Sequence, residues 1–372
     1  MVKLEHTVRK PLNREPPLEK LISSFITEEG GYDRNHGPIP YLDASTHRVA
    51  IYGAVTQQEF SIGQLSSLPQ HTVICALQCA GNRRHTMRTK LKEVNGIDWF
   101  DGAVMNCRWR GPRLRDVLLR SGMDLPREKW KDAHVAFACF QTPCQDDEYY
   151  GGSIPLERAM QEDADVILAL EMNGRPLTPN HGFPVRVVTP GIAGARSVKW
   201  LDRITVQLCE SSNFYQQRDY KILPEEADCV EKAKEWWDKC PSIVDMPVNS
   251  VIAVPASEST VKRDENGVVY VKGYALPSGQ DGPVTQVEVS ADGGKTWVLA
   301  ELAQAESPEK GVSLKWSWTL WQAKVKPEPG TGKKFLSRAM DKGGNVQAPC
   351  PKWNLRGVSY NGYGESENVE VI

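Results

Sequence analysis

The segment best equipped for chemistry is Leu77-Gln78-Cys79-Ala80-Gly81-Asn82-Arg83-Arg84, a thiol at the end of an apolar run with two guanidiniums behind it. Neighbouring arginines favour the thiolate, the form that binds a soft metal. Gly81 lets the backbone come close to something bulky. The same residues also fit a buried cysteine ahead of a basic turn, and the segment alone leaves both readings open. The chain has nine cysteines, an odd number with no C-x-x-C pair; the nearest pairs are Cys75/Cys79 and Cys139/Cys144. That scatter argues against a disulfide framework and against a structural zinc site.

A second candidate is the loop Gly30-Gly31-Tyr32-Asp33-Arg34-Asn35-His36-Gly37-Pro38, where glycine, proline and hydrogen-bonding side chains concentrate. The elements that must position these residues read as a mixture of strand and helix. Residues 1–45 form an irregular lead-in, because Pro11, Pro16 and Pro17 forbid long regular structure. Val49–Ala54 is a short strand, and Ser61-Ile62-Gly63-Gln64-Leu65 a capped helix start. Thr72–Gln78 is a buried strand that delivers Cys79. Leu114–Leu119 is helical, Asp165–Glu171 and Val185–Thr189 are buried strands, and residues 225–239 form a short surface helix.

Beyond Pro241–Pro247 the pattern turns almost wholly to β. Val268–Ala275 is a strand, Val287 and Val289 alternate with polar residues, and Asp292-Gly293-Gly294 marks a hairpin before Trp297. Trp316, Trp318 and Leu320 are expected on one face, with Ser317 and Thr319 on the other. The fold class is therefore α+β: a mixed α/β domain over 1–245, then an immunoglobulin-like β-sandwich over 246–372.

The 372 residues suit about two domains. A net charge of -2 makes nucleic acid a poor partner, and no apolar run approaches the roughly 20 residues that span a bilayer. Met1–Pro17 lacks the apolar stretch of a secretory signal, and the ending Asn368-Val369-Glu370-Val371-Ile372 is not a peroxisomal address. The expected location is a soluble compartment, cytoplasmic or organellar.

Gln78-Cys79-Ala80-Gly81-Asn82-Arg83-Arg84 resembles the molybdenum cofactor domain shared by sulfite oxidases and eukaryotic nitrate reductases. The resemblance runs from about residue 9 to about residue 357. It includes Tyr32-Asp33-Arg34-Asn35-His36, Trp109-Arg110-Gly111, Glu171-Met172-Asn173-Gly174, His181-Gly182-Phe183-Pro184-Val185-Arg186, Gly194-Ala195-Arg196-Ser197-Val198-Lys199-Trp200, Asp219-Tyr220-Lys221 and Trp353-Asn354-Leu355-Arg356-Gly357. The nearest likeness is to the haem-free sulfite oxidases of plants and fungi.

The resemblance implies a molybdenum–molybdopterin cofactor with Cys79 as the protein's ligand to the metal. It implies that Arg34, Asn35, His36, His181, Arg186, Ser197 and Lys199 hold the pterin and its phosphate. For a sulfite dianion it implies Arg34, Arg84 and Arg356 as converging cations, Trp99 as a wall, Tyr220 as a hydroxyl donor, and Asp219 to orient Tyr220 or a water. Arg356 favours sulfite, since the nitrate reductase branch typically has an uncharged residue there. A catalytically silent scaffold that keeps the fold is the rival from another class.

The resemblance further implies a homodimer, with sulfite as substrate and sulfate as product. No C-x-x-C-H and no glycine-rich dinucleotide fingerprint is visible, so neither haem nor flavin is expected in this chain. Electrons then pass to dioxygen or to a separate acceptor such as cytochrome c. Two departures stand out. Asn95 replaces a basic residue common before Gly96, and Gln141 lies where an aspartate often contacts the pterin.

Overall fold

The computed structural model describes residues 6–28, 30–303 and 311–372. Its N-terminal part is built on two larger sheets, with two two-stranded ones beside them. One is five-stranded, in the order Gln58–Ser61, Arg48–Gly53, Arg203–Gln207, His134–Cys139, Tyr150–Pro155; the Arg48–Gly53/Arg203–Gln207 pair is parallel and the others are antiparallel. The other is antiparallel and pairs Gln70–Gln78 with Val104–Pro112 over nine residues, with short strands beyond. Val73, Cys75 and Leu77 point into a core with Trp99, Trp109 and Trp316, so burial of one face fixes the register that sets Cys79 at the strand's end. The helix Ile62–Ser67 starts as its sequence predicts. The Ser61 side chain accepts from the Gln64 N–H, and the Gln64 side chain answers to the Ser61 N–H.

Residues 249–371 form two facing sheets. One runs Asn249–Val254, Val269–Leu276, Thr319–Val325, Glu301–Leu302; the other runs Thr260–Val261, Gly364–Val371, Gly330–Asp341, Val284–Ser290, Val298–Leu299. Val271, Trp321 and Ala323 from one meet Val287, Phe335 and Val369 from the other, which makes a sandwich.

Several local expectations differ from the fold. The lead-in is not wholly irregular, since His6–Arg9 and Leu12–Glu15 pair as a hairpin and Leu18–Leu21 is a helical turn. The helix expected over 225–239 shrinks to Val230–Ala233. The run 165–171 splits, with Ile167–Ala169 pairing Arg186–Val188 and Glu171–Met172 pairing Val104–Pro112. The alternation over 316–320 does not hold. Trp316, Ser317 and Trp318 are all buried, and the strand begins only at Thr319. Trp316 leaves the sandwich for the core beside the Cys79 strand, Trp318 joins a cluster shared by the two parts, and Trp321, Ala323 and Val325 face the sandwich core instead.

Those tryptophans tie the two parts together beside the Cys79 strand. The Ala76 N–H donates to the Trp316 carbonyl (2.9 Å), and Trp316 Nε1 donates to Asp165 (2.8 Å). Arg83, in the left-handed region at φ 67°, reaches from the Cys79 turn to Asn249 Oδ1 (2.8 Å) and to the carbonyls of Gly362 and Tyr363 (2.6 Å each). No helix among the described residues is long and apolar enough to cross a membrane.

Candidate active site

Where the strand Gln70–Gln78 ends, the chain turns sharply and opens onto a cavity of about 760 Å³. Cys79 lines it, 5% exposed, with its Sγ accepting the Gly81 N–H at 3.4 Å. The Cys79 N–H is itself held by the Ala103 carbonyl (2.9 Å). The thiol is thus fixed at both sides and presented to the cavity.

All the residues expected to hold a cofactor line this cavity: Arg34, Asn35 and His36 from the early loop, and His181, Arg186, Ser197 and Lys199 from the later segments. Arg186 donates to the carbonyls of His181 (3.1 Å) and Ser197 (2.9 Å), with its guanidinium over the Trp109 ring at 5.1 Å. Lys199 donates to the Asn180 carbonyl (2.9 Å) and to the Asn35 side-chain oxygen. Burial pulls the Arg186 pKa down to about 10 and that of Lys199 to about 7. Burial, with the Lys199 charge next, holds His181 at about 3. Cations gathered in a dry pocket on neutral oxygens are an anion site. A pterin phosphate fits this donor set.

The expected substrate residues are only partly assembled on the same cavity. Arg34 and Tyr220 line it. Arg84 stands behind, its Nε donating to the Arg356 carbonyl (2.9 Å) and one terminal nitrogen to the Ile97 carbonyl (2.8 Å). Its slot is made by absence of side chains. A Cβ on Gly81 would sit 2.5 Å from the guanidinium, and one on Gly96, at φ +133°, would sit 2.8 Å away. Arg356 comes from the C-terminal part and is ion-paired to Asp219. Burial, then the Arg84 and Arg34 charges, brings the Arg356 pKa to about 10. Trp99 does not reach the cavity. It is fully buried and meets Tyr32 edge-on at 6.5 Å, so Tyr32 is the aromatic wall and Trp99 its backing.

His36 sits between the two groups. Its Nδ1 is 3.2 Å from an Arg34 guanidinium nitrogen and its Nε2 2.8 Å from the Tyr220 oxygen. Burial first, then the charges of Arg34, Arg356, Lys199 and Arg84, holds its pKa well below 6.5, so the ring is neutral. Burial likewise raises the Tyr220 pKa far above its ordinary value, which keeps the hydroxyl protonated.

Sequence reasoning missed other participants. Tyr150, Thr142, Cys144 and Asn180 line the cavity, and Tyr150 is anchored on the Ala195 carbonyl (2.8 Å). Asn13 and Glu15 come from the lead-in. Asn13 Oδ1 accepts from the Asn35 N–H (2.9 Å) and from Arg34 (3.2 Å), and the Glu15 carboxylate accepts from the Phe100 N–H (2.8 Å) and the Gly102 N–H. Gln141, one of the two departures, is exposed and bound to Asp202 (2.9 Å), away from the cavity. Among the described residues, no group of three or more His, Cys, Asp or Glu is arranged to hold a metal ion. A metal here would take one protein ligand, Cys79, with the rest from its cofactor.

Residues 36–215 match the family model described as the oxidoreductase molybdopterin binding domain, and residues 240–367 match the Mo-co oxidoreductase dimerisation domain. Mitochondrial sulfite oxidase of Homo sapiens is 44% identical over 365 residues, covering 95% of this chain and 64% of that protein. Sulfite oxidase of Arabidopsis thaliana is 38% identical over 368 residues, covering 95% of this chain and 91% of that protein. NADH nitrate reductase of Volvox carteri is 38% identical over 371 residues, covering 97% of this chain and 42% of that protein. The chain thus spans about two thirds of the mammalian relatives or less. The crystal structure of the sulfane dehydrogenase SoxCD from Paracoccus pantotrophus matches with a TM-score of 0.74 at 24% identity, covering 100% of this chain and 91% of that one, a likeness of fold.

Proposed function

We propose an activity on the premise that the chain belongs to the sulfite oxidase family of molybdopterin-binding oxidoreductases: the oxidation of sulfite to sulfate. The observation that carries it is the juxtaposition of the Cys79 thiol with Tyr220 and Arg34 around one cavity, with Arg84 and Arg356 bonded to each other behind it and Arg356 paired with Asp219 beside Tyr220. Sulfite and water yield sulfate, two protons and two electrons. A molybdenum–pterin group, when bound, would supply the oxygen-atom transfer and two-electron chemistry this balance requires.

The chain's residues bind, orient and exclude. Cys79 would be the metal's protein ligand. Arg186, Lys199, His181 and Ser197 would hold the pterin phosphate, with Asn35 bracing Lys199. Arg84 and Arg356 supply the positive potential that draws the dianion in, and the low-dielectric surroundings strengthen it. Tyr220 donates a hydrogen bond from its hydroxyl to a substrate oxygen. Asp219 holds the Arg356 guanidinium beside it. Tyr32, backed by Trp99, keeps water from the side of the cavity nearest Cys79.

Supporting sulfite over nitrate is Arg356, whose charge suits a dianion better than a monoanion. We assign the division of the chain to near residue 245, because no sheet among the described residues crosses that point. The C-terminal sandwich is taken as the homodimer contact. The electron acceptor is dioxygen or a separate protein such as cytochrome c.

The test is steady-state turnover of purified, molybdenum-loaded protein with sulfite, using ferricyanide and dioxygen as alternative acceptors. Turnover with both is expected. Turnover with ferricyanide alone would keep sulfite as substrate and assign the electrons to a partner protein. No turnover with either, in protein that holds the metal, would overturn the substrate and turn attention to nitrate.

A further inference from the structure

The turn that presents Cys79 is held on one side by the N-terminal part and on the other by the sandwich. On the near side, the Arg83 N–H donates to the Phe100 carbonyl (2.6 Å) and the Ala103 N–H donates to Asn82 Oδ1 (3.0 Å). On the far side, the Ala80 carbonyl accepts the Ser359 N–H (2.7 Å), and Asn82 Nδ2 donates to the Tyr274 oxygen (2.9 Å). A backbone N–H can only donate, so the Ala103 contact fixes which end of the Asn82 amide faces the sandwich. The buried Tyr274 hydroxyl, filled by that amide, donates in turn to the Asp101 carbonyl (2.7 Å).

Arg83 is the firmest of these ties. Its side chain is buried, and beyond the bonds to Asn249, Gly362 and Tyr363 its guanidinium lies over the Tyr360 ring at 4.7 Å. All four partners belong to the sandwich. An apolar contact tolerates sliding; a guanidinium fork seated on three oxygens does not. The backbone of Arg83, at φ 67°, is left-handed, a conformation that an arginine keeps only where its surroundings hold it.

We propose that Arg83 is a positioning residue through which the C-terminal sandwich sets the place of the Cys79 thiol. The sandwich is then part of the active site as well as a dimer contact, because a shift of the face that bears Asn249 and Tyr363 moves the turn behind the thiol. The proposal rests on the reading of Cys79 as the metal's ligand and not on which substrate is oxidised. The cofactor end lies outside this path: the hydrogen bonds of Arg186, Ser197 and Lys199 run to other residues of the N-terminal part. Loosening the turn therefore leaves the pterin held and displaces only the protein's sulfur.

Two measurements on the cofactor-loaded protein test this. One is sulfite kcat and KM per molybdenum bound. The other is the electron paramagnetic resonance signal of the metal reduced by one electron, whose g-values follow the direction of the thiolate bond. Arg83→Gly suits φ 67° without strain and removes the guanidinium. It is expected to shift the g-values and to lower kcat by about 10- to 100-fold with KM within about twofold, the pattern of a misplaced reacting group. Tyr274→Phe leaves Asn82 Nδ2 without its acceptor and is expected to move the g-values in the same sense, with a loss of about threefold in kcat. Arg83→Lys keeps a cation and is expected to fall between wild type and Arg83→Gly. A lower melting temperature at unchanged g-values and kcat would make Arg83 a fastening between domains and end the proposal. So would a raised KM at unchanged kcat, which would place the effect on Arg84 and the anion. If Arg83→Gly does not fold, Arg83→Lys and Tyr274→Phe decide, and unchanged g-values in both overturn the proposal. Wild type that gives the signal and does not oxidise sulfite would sink the substrate reading alone, because the g-values of the variants still answer. A signal shared by wild type and Cys79→Ser would sink the ligand reading, and this proposal with it.

Discussion

The cofactor end of the cavity and its substrate end gather cations in different ways. At the cofactor end, Arg186 and Lys199 rest on backbone carbonyls and an amide oxygen, with no carboxylate among the described residues bonded to either. At the substrate end, Arg356 is paired with Asp219 and Arg34 leans on His36. The difference matches what each end holds. A cofactor that stays can supply the missing negative charge permanently. A product dianion must leave at every turnover, and a counter-charge such as Asp219 keeps the site from holding it too tightly.

The largest expected effect lies where the ends meet. Cys79→Ser is predicted to abolish sulfite turnover while the pterin remains bound, because the cofactor end is intact and only the thiolate is lost. Metal and pterin content measured beside activity checks this. Unchanged turnover would remove Cys79 from the mechanism.

Next in size is Arg356→Met. It deletes one charge from the substrate end and leaves Asp219, which is 7% exposed, without its partner. We expect KM for sulfite to rise by about 10- to 100-fold, the usual cost of breaking such a pair, with a smaller change in kcat. Pterin content is expected to stay constant. A fall in kcat at unchanged KM would mean that Arg356 acts in the transition state only, and the division into two ends would need redrawing.

The two ends also carry opposite pH signatures. Burial raises the Glu15 carboxyl from 4.5 to about 7 behind the substrate end, where it clamps the loop that bears Trp99. Burial lowers Lys199 from 10.5 to about 7 at the cofactor end. For Glu15 the folded state binds the extra proton. Its contribution is full below pH 4.5 and is lost as pH rises through about 7. For Lys199 the unfolded state binds the extra proton. Stability of cofactor-free protein therefore rises from about pH 7 toward 10.5. Each slope is at most about 1.4 kcal/mol per pH unit. Chemical denaturation across pH, with and without bound cofactor, separates them. The cofactor's negative charge is expected to erase the alkaline slope and leave the acid one, and Glu15→Gln to do the reverse. A cofactor that leaves the alkaline slope unchanged would mean its phosphate does not meet Lys199.

The cofactor end was the more legible of the two in the sequence, for a physical reason. His181, Arg186, Ser197 and Lys199 lie within one stretch of chain, and Arg34, Asn35 and His36 within another, so motif and geometry nearly coincide. The substrate end draws on positions 84, 219, 220 and 356, and its details are settled by packing. Gly81 was read as room for something bulky and Gly96 only as the neighbour of Asn95, yet together they are the empty space that admits the Arg84 guanidinium. Trp99 was expected to face the anion and is instead the backing of Tyr32. Asn13 and Glu15 sit in a proline-broken lead-in that carries no motif, and nothing local marks them as the acceptors that fix Arg34 and the Trp99 loop. At Trp316 and Trp318 the alternating pattern was visible, but a pattern cannot say which of two adjacent cores an apolar face will fill.

The smallest effect is a gain. Asn95 is half-buried and donates its backbone N–H to the Leu355 carbonyl at 2.7 Å, one residue from Arg356, while Gly96 backs the Arg84 guanidinium. Its backbone therefore lies beside the segments that carry Arg84 and Arg356, without belonging to the Asp219 pair. Asn95→Lys adds a charge there and leaves every contact of the cofactor end in place. If sulfite passes this position, KM at low ionic strength is expected to fall by about threefold. The gain is expected to fade as salt shortens the screening length from about 30 Å at 0.01 M to about 8 Å at 0.15 M. kcat is expected to stay level or to drop, because the same charge that gathers sulfite also slows the departure of sulfate. An unchanged KM at low salt would mean that the anion does not feel this side of the cavity. The charges already present, Arg34, Arg84 and the Asp219–Arg356 pair, would then set the potential at the substrate end.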